Sequence, residues 1–360
     1  MKSKTILHIV GVRPHFIKLA ILLPKLNEFN NIIVHTGQHY SYSMDDKFFN
    51  ELNIPEPDYN LGINQCTNNT QIAKTMMALE PLLKEILVDL IMVYGDTNAT
   101  LGGAIAGVNY KIPVAHVESN VRSYDIHMQE EINRCIVDSI STYLFSPIFY
   151  PIIKRKEGRK VYSVNSGDIL LDSTIKYEKR IQKQDLSKFH ISSDYIFITI
   201  HRAENLTKER LEKITVLLNY ISDKYCQVVF PLHPHTKKVF KNYDLRLSSS
   251  IKQLSPVSYL ETLAMIYNSR FVLTDSGGVQ REAAFLGKYC GILRTCSEWD
   301  ILCKYGVSIL IDLNIDLFNE LVIAYNESSI SSGIIDKIRS TFGGGNASNE
   351  IAKSLVEYLK

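Results

Sequence analysis

Residues 5–37 read TILHIVGVRPHFIKLAILLPKLNEFNNIIVHTG. The run Ile6–Val10 is almost wholly apolar and stops at Gly11. Pro14 then opens a segment whose apolar residues recur at three and four, and a second β-branched run closes the stretch at 31–37. That order predicts a buried strand, an amphipathic helix and a second strand. Strands that are apolar throughout and alternate with helices form parallel sheets covered on both faces.

The same unit recurs along the chain. Further runs are LIMVYGD (90–96), PVAHVES (113–119), TYLFSP (142–147) and VYSVNSG (161–167). A second series follows: YIFITIH (195–201), QVVFPLH (227–233), IKQLSP (251–256), FVLTDSG (271–277), YCGILR (289–294) and VSILIDL (307–313). About a dozen strands exceed what one doubly wound sheet comfortably holds. The polar, lysine-rich stretch 172–194 divides them, so the expectation is two Rossmann-like α/β domains with parallel sheets, 1–171 and 172–346.

Composition narrows the function. Of 360 residues 45% are hydrophobic and 22% charged, and 20 Tyr and 14 Phe provide bulk for real cores. Intrinsic disorder and a disulfide scaffold are thereby excluded. The 40 Lys and Arg against 38 Asp and Glu leave a net +2, which argues against general nucleic-acid binding. Cys66, Cys135, Cys226, Cys290, Cys296 and Cys303 include no CxxC pair, so reduced thiols are expected. The apolar run at the N-terminus is too short for a signal-peptide core, and no stretch approaches the ~20 apolar residues of a membrane span. A soluble, cytoplasmic protein is the expectation.

Doubly wound sheets bind ligands beyond the carboxyl ends of their strands. VGVRPH, HTGQH, YGDTN, HVESN, IHRAEN, LHPHT and TDSGG all fall there. Turn formation alone accounts for Gly, Asp, Ser and Asn at any one junction, but not for seven junctions that together carry His, Arg, Asp and Glu as well. Thr274-Asp275-Ser276-Gly277-Gly278 delivers a strand to a helix N-terminus, a phosphate site by dipole and free N–H groups. Glu282, expected on the first turn of the helix that follows, could take ribose hydroxyls or simply face the dipole. Arg13, between strand and helix, suits a bound anion; Lys18 follows on the same helix, where a solvated surface lysine is the plainer alternative. Asp96, Glu118 and Glu130 arise from consecutive units and could form an acid/base cluster. The plainer alternative is that Asp96 caps the next helix and Glu130 pairs with Arg134. His201 and Arg202 could receive a leaving phosphate. His233 and His235 lack a carboxylate at ligand spacing, so no metal site is expected. There is no GxxxxGK[ST], and no GxGxxG after the first strand, which disfavours a Walker ATPase and a nicotinamide enzyme.

The ordered set GVRPHFIK, HTGQH, VYGDTNAT, IPVAHVES, RSYDIHMQEEINR, HRAEN, PLHP, LTDSGGVQREAAFLGK and FGGGNAS resembles the non-hydrolysing UDP-N-acetylglucosamine 2-epimerases, over nearly the whole chain. The resemblance implies a GT-B-like arrangement with a UDP-sugar in the cleft between the domains, a last helix (347–360) returning to the first domain, a homodimer and no cofactor. The implied chemistry inverts carbon 2 of UDP-N-acetylglucosamine by eliminating UDP to a 2-acetamidoglucal and adding it back after a proton arrives on the opposite face. Asp96, Glu118 and Glu130 match the family's catalytic carboxylates and His201 its histidine. Arg13 and Lys18 match its substrate-side cations, and Ser276, Gly277, Gly278 and Glu282 its diphosphate and ribose contacts.

The sequence also departs from that pattern. GVRPH stands for the usual GTRPE, Asn120 for a glycine and Gln129 for a proline. These two exchanges alter backbone freedom beside Glu118 and Glu130. Ser297-Glu298-Trp299-Asp300 and the FGGGNAS ending resemble the branch acting on UDP-2,3-diacetamido-2,3-dideoxy-glucuronate. Members often bind a second UDP-N-acetylglucosamine through TGQH. Here Gln38 is kept and Tyr40, Ser41 and Tyr42 follow, so weakened activation is expected. Because fold does not fix function, a glycosyltransferase and a non-catalytic UDP-sugar binder stay open.

Overall fold

The computed structural model describes residues 3–37, 48–64, 66–149, 160–232 and 234–359. The chain separates into two compact units, Met1–Ser173 with Ser340–Lys360, and Thr174–Arg339. The first crossing falls within the lysine-rich stretch 172–194, which begins as part of the helix Ile169–Gln182. The second passes through the helix Ser332–Thr341, ahead of 347.

The first unit holds a parallel seven-stranded sheet of β1 (Thr5–Val10), β2 (Asn30–His35), β3 (Tyr59–Asn60), β4 (Leu90–Tyr94), β5 (Val114–Val117), β6 (Tyr143–Ser146) and β7 (Tyr162–Asn165). Its order is β3-β2-β1-β4-β5-β6-β7. The second holds β8 (Tyr195–Thr199), β9 (Gln227–Pro231), β10 (Ile251–Leu254), β11 (Val272–Thr274), β12 (Cys290–Ile292) and β13 (Ser308–Leu310), in the order β10-β9-β8-β11-β12-β13. Both are doubly wound, and the strand order reverses between β1 and β4 and between β8 and β11. A crevice opens at such reversals.

Each of the twelve apolar runs is a strand. The addition is β3, two exposed residues paired to Val34 and His35 of β2. All six residues of β1 are buried, as a strand covered on both faces requires. Even His8 is answered inside the sheet, with Nδ1 2.8 Å from the Tyr94 hydroxyl and Nε2 2.9 Å from Asn31 Oδ1. Burial pushes its pKa down to about 4. Leu7, Ile9, Val34, Ile91 and Val93 pack with Leu79 and Leu83 of the helix Asn68–Glu85 and with Leu101 and Ala104 of the helix Asn98–Asn109. In the second unit Ile196, Ile198, Val228, Phe230 and Phe271 pack with Leu211, Leu217 and Phe318.

The last helix, Ala347–Leu359, belongs to the first unit. Asp172 caps it from another element, accepting from the N–H groups of Ala347 (3.0 Å) and Ser348 (2.8 Å) and from the Ser348 hydroxyl (2.7 Å). At its far end Tyr358 lies against Tyr143 and Tyr162.

Candidate active site

In the first unit β1 turns into the helix Arg13–Leu22, which has Pro14 in its first turn and no acidic residue there. Arg13 is half-buried, its guanidinium 5.7 Å from the Phe48 ring centre. Lys18 is no solvated surface lysine. Its side chain is 4% exposed and forms an ion pair with Glu118, itself 11% exposed, just beyond β5. Glu118 stands at φ +71°, a backbone region that costs an ordinary side chain energy and persists where the surroundings fix it.

His15 completes this cluster. Its Nδ1 accepts from the Gly11 N–H at 3.3 Å, which puts the ring hydrogen on Nε2. Burial, then the nearby Lys18 charge, push its pKa down to about 3, so the ring is neutral. A Cβ placed on Gly95 would lie 3.5 Å from Lys18 Nζ and 3.7 Å from His15 Nε2, so the end of β4 borders the same cluster.

Asp96 follows Gly95. It pairs with Arg134 of the helix Gln129–Ile140, and its backbone carbonyl accepts from Asn133 Nδ2 at 2.9 Å. It is not the cap of the next helix: Thr97 is, through its hydroxyl and the Thr100 N–H. Arg134 also reaches Glu131 at 2.8 Å, and the same Glu131 oxygen takes the Ser123 N–H (2.8 Å) and hydroxyl (3.0 Å). Glu130 lies half-buried in the first turn of that helix. Asn120, standing for a glycine, holds φ +62°, which asparagine tolerates better than most residues. Its side chain donates to Ser146 Oγ at 2.6 Å. Gln129 is the first helical residue and ties its amide to Asn133 Oδ1 at 2.8 Å.

In the second unit β8 and β11 deliver the corresponding loops. Asp275 is fully buried and accepts from the N–H groups of His201 (3.0 Å) and Arg202 (3.0 Å) and from Asn205 Nδ2 (2.8 Å). One carboxylate thus fixes the backbone that presents the exposed His201. Arg202 faces Glu298 at 3.4 Å, and Glu298 also holds Arg294 at 2.8 Å. Ser276 is the N-cap of the helix Gly277–Phe285 and takes the Val279 N–H. Helix geometry gives the N–H groups of Gly277 and Gly278 no acceptor of their own. A Cβ on Gly277 would come within 2.9 Å of Trp299 Nε1, so only glycine fits there without a shift. Arg281 lies 3.9 Å over the Trp299 ring. Glu282 is buried not in the first helical turn but in the second, because the helix begins at Gly277, and it lies beyond the turn where the helix dipole acts strongly.

His15 and Asp275 are the partners that sequence reasoning passed over, although Asp275 stands inside the quoted motif, and Arg134, offered there as a partner for Glu130, holds Asp96 and Glu131. Gln38, Tyr40, Ser41, Tyr42 and His233 lie outside the described residues, as does the side chain of His235. Among the described residues no three His, Cys, Asp or Glu side chains gather to hold a metal ion, and no helix is long and apolar enough to cross a membrane.

A family model described as UDP-N-acetylglucosamine 2-epimerase matches residues 23–356. A UDP-N-acetylglucosamine 2-epimerase homolog of Methanococcus maripaludis is 40% identical over 97% of this chain and 99% of its own. A UDP-2,3-diacetamido-2,3-dideoxy-D-glucuronate 2-epimerase of Pseudomonas aeruginosa is 37% identical over 98% and 99%. The crystal structure of a Methanocaldococcus jannaschii UDP-GlcNAc 2-epimerase in complex with UDP-GlcNAc and UDP superposes with a TM-score of 0.89 at 35% identity, covering 98% of this chain and 99% of that one.

Proposed function

Because the chain belongs to the UDP-N-acetylglucosamine 2-epimerase family, we propose that it inverts carbon 2 of UDP-N-acetylglucosamine, giving UDP-N-acetylmannosamine, by eliminating UDP and adding it back. The observation that carries this reading is the cluster at the strand ends of the first unit. There Glu118 is held against buried Lys18, and Asp96 against Arg134.

The carbon-2 hydrogen has no carbonyl beside it, so direct inversion is hard. In the proposed reaction a carboxylate takes that proton while the bond from carbon 1 to the diphosphate oxygen breaks. The electron pair of the carbon–hydrogen bond becomes the ring double bond, and UDP leaves with the pair of the broken carbon–oxygen bond. A carboxylic acid then protonates carbon 2 on the opposite face, and UDP adds back at carbon 1. Both transfers need positioned acid and base groups, a task for Asp96, Glu118 and Glu130. Charge gathers on the departing diphosphate, where Ser276, the N–H groups of Gly277 and Gly278, His201 and Arg202 would offset it. Arg13 adds a cation on the sugar side, and Glu282 would accept from the ribose. No metal or nicotinamide enters any step.

The Trp299 segment and the Pseudomonas relative favour a second reading of the same chemistry, on UDP-2,3-diacetamido-2,3-dideoxy-glucuronate. A homodimer is part of the proposal, supported by the exposed apolar side chains Tyr124, Ile126, Ile132 and Ile136, as is a cytoplasmic location. The test is to incubate the protein with each UDP-sugar alone and follow the carbon-2 epimer by NMR. The first reading expects UDP-N-acetylmannosamine without any acceptor. Turnover of the glucuronate alone would move the assignment to the second, and turnover of neither would remove both.

A further inference from the structure

Beneath the loops that carry Asp96 and Glu118 lies a fully buried pair with no role in the steps above. His116, in β5, places Nε2 2.7 Å from the Gly95 carbonyl and Nδ1 2.7 Å from Asp138 Oδ1. A carbonyl only accepts, so Nε2 donates. The other Asp138 oxygen accepts from the Asn120 N–H at 3.0 Å and from Arg122 at 2.6 Å. Burial pushes the Asp138 carboxyl up, but the bonds from His116 and Arg122 outweigh it and hold the group below its ordinary value. Asp138 is therefore an ionised acceptor, and Nδ1 donates to it.

The two backbone points this pair grips bracket the proposed chemistry. Gly95 precedes Asp96, and Asn120 lies just beyond Glu118. Glu118 and Asn120 stand at φ +71° and +62°, conformations that residues other than glycine keep only where neighbours over-determine them. Asp138 comes from a third element, the helix Gln129–Ile140, whose Arg134 holds Asp96. The pair thus links the β4 loop, through His116, to the β5 loop and the helix, through Asp138.

We propose that Asp138 and His116 are positioning residues that set Asp96 and Glu118 at the spacing needed for proton transfer at carbon 2, an inference that rests on the acid/base roles proposed for those two carboxylates. An error of about 1 Å in such a spacing costs on the order of 100-fold in rate. Neither residue need touch the sugar, so substrate affinity should change little.

The experiment compares Asp138→Asn, His116→Gln and Arg122→Gln for melting temperature, UDP affinity, kcat and KM. Arg122→Gln removes a partner of Asp138 and leaves both backbone ties in place. Folded Asp138→Asn and His116→Gln should lose about 100-fold in kcat with KM and UDP affinity within about twofold, while Arg122→Gln stays within about threefold of the parent kcat. An active parent whose folded Asp138→Asn variant keeps its kcat overturns the positioning role alone. So does an Arg122→Gln variant as slow as Asp138→Asn. If Asp138→Asn fails to fold, His116→Gln against Arg122→Gln decides by the same criterion. A parent with no turnover on either UDP-sugar overturns the proposed function and this inference with it.

Discussion

Replacing Lys18 by methionine would take from Glu118 its buried ammonium partner. The pair is 4% and 11% exposed, and the neighbouring His15 is neutral. Removing one partner of such a pair costs about 3–5 kcal/mol. For a unit of this size each kcal/mol lowers Tm by about 2–4 °C, so Lys18→Met should melt roughly 6–20 °C below the parent. Glu118→Gln keeps an acceptor and should lose less. In the double variant neither charge remains to be stranded, so more than half of the Lys18→Met loss should return. Calorimetry on the four proteins gives the coupling directly. Losses that simply add, or a Lys18→Met protein that melts with the parent, would refute the claim that this buried pair holds Glu118. Turnover should be lost in all three variants whatever their stability.

Asp96→Asn should melt within a few degrees of the parent, because Arg134 keeps Glu131, yet lose about 10²–10⁴ in rate. A stable variant with parental rate would make Asp96 structural. Gly277→Val would drive a side chain into Trp299, whose Nε1 would stand 2.9 Å from the new Cβ. Titration should show UDP affinity falling at least about tenfold as the N–H cradle shifts, the scale of 1–3 kcal/mol of overpacking, and unchanged affinity would show the diphosphate site to be elsewhere. His8 titrates at about 4 in the fold against ~6.5 unfolded. Between those values the unfolded chain binds the extra proton, so its contribution is complete above about pH 6.5 and falls by about 2 kcal/mol at pH 5. Melting curves at pH 7 and pH 5 should show a smaller drop for His8→Gln, and an equal drop would show that His8 does not carry it.

The strands were legible because buried parallel strands write themselves as continuous apolar runs. β3 was not: two exposed residues, Tyr59 and Asn60, carry no pattern and owe their pairing to β2. The strand-end position of the candidate residues was equally readable, since a doubly wound sheet has one place for them. What local sequence withheld was the partner of each. Lys18 meets Glu118 from a distant helix, and Arg134 reaches back to Asp96. Such pairs are set by the sheet order, not by spacing along the chain. The asparagine at 120 raised a question that only backbone angles answer: it adopts the left-handed conformation that glycine would have supplied and adds a bond to Ser146. Asp96 looked equally suited to capping, and Thr97 takes that place because its hydroxyl reaches the Thr100 N–H.

Elimination and re-addition make one demand that transfer and simple binding do not: the carbon-2 hydrogen must come from solvent. The direct measurement is to incubate the protein with UDP-N-acetylglucosamine in heavy water, without an acceptor, and read carbon 2 by NMR and mass. The account predicts one deuterium at carbon 2 of the UDP-N-acetylmannosamine formed, with uptake abolished in Asp96→Asn and Glu118→Gln proteins that still bind UDP. Epimer that keeps its original hydrogen, or deuterium uptake undiminished in both variants, would contradict it.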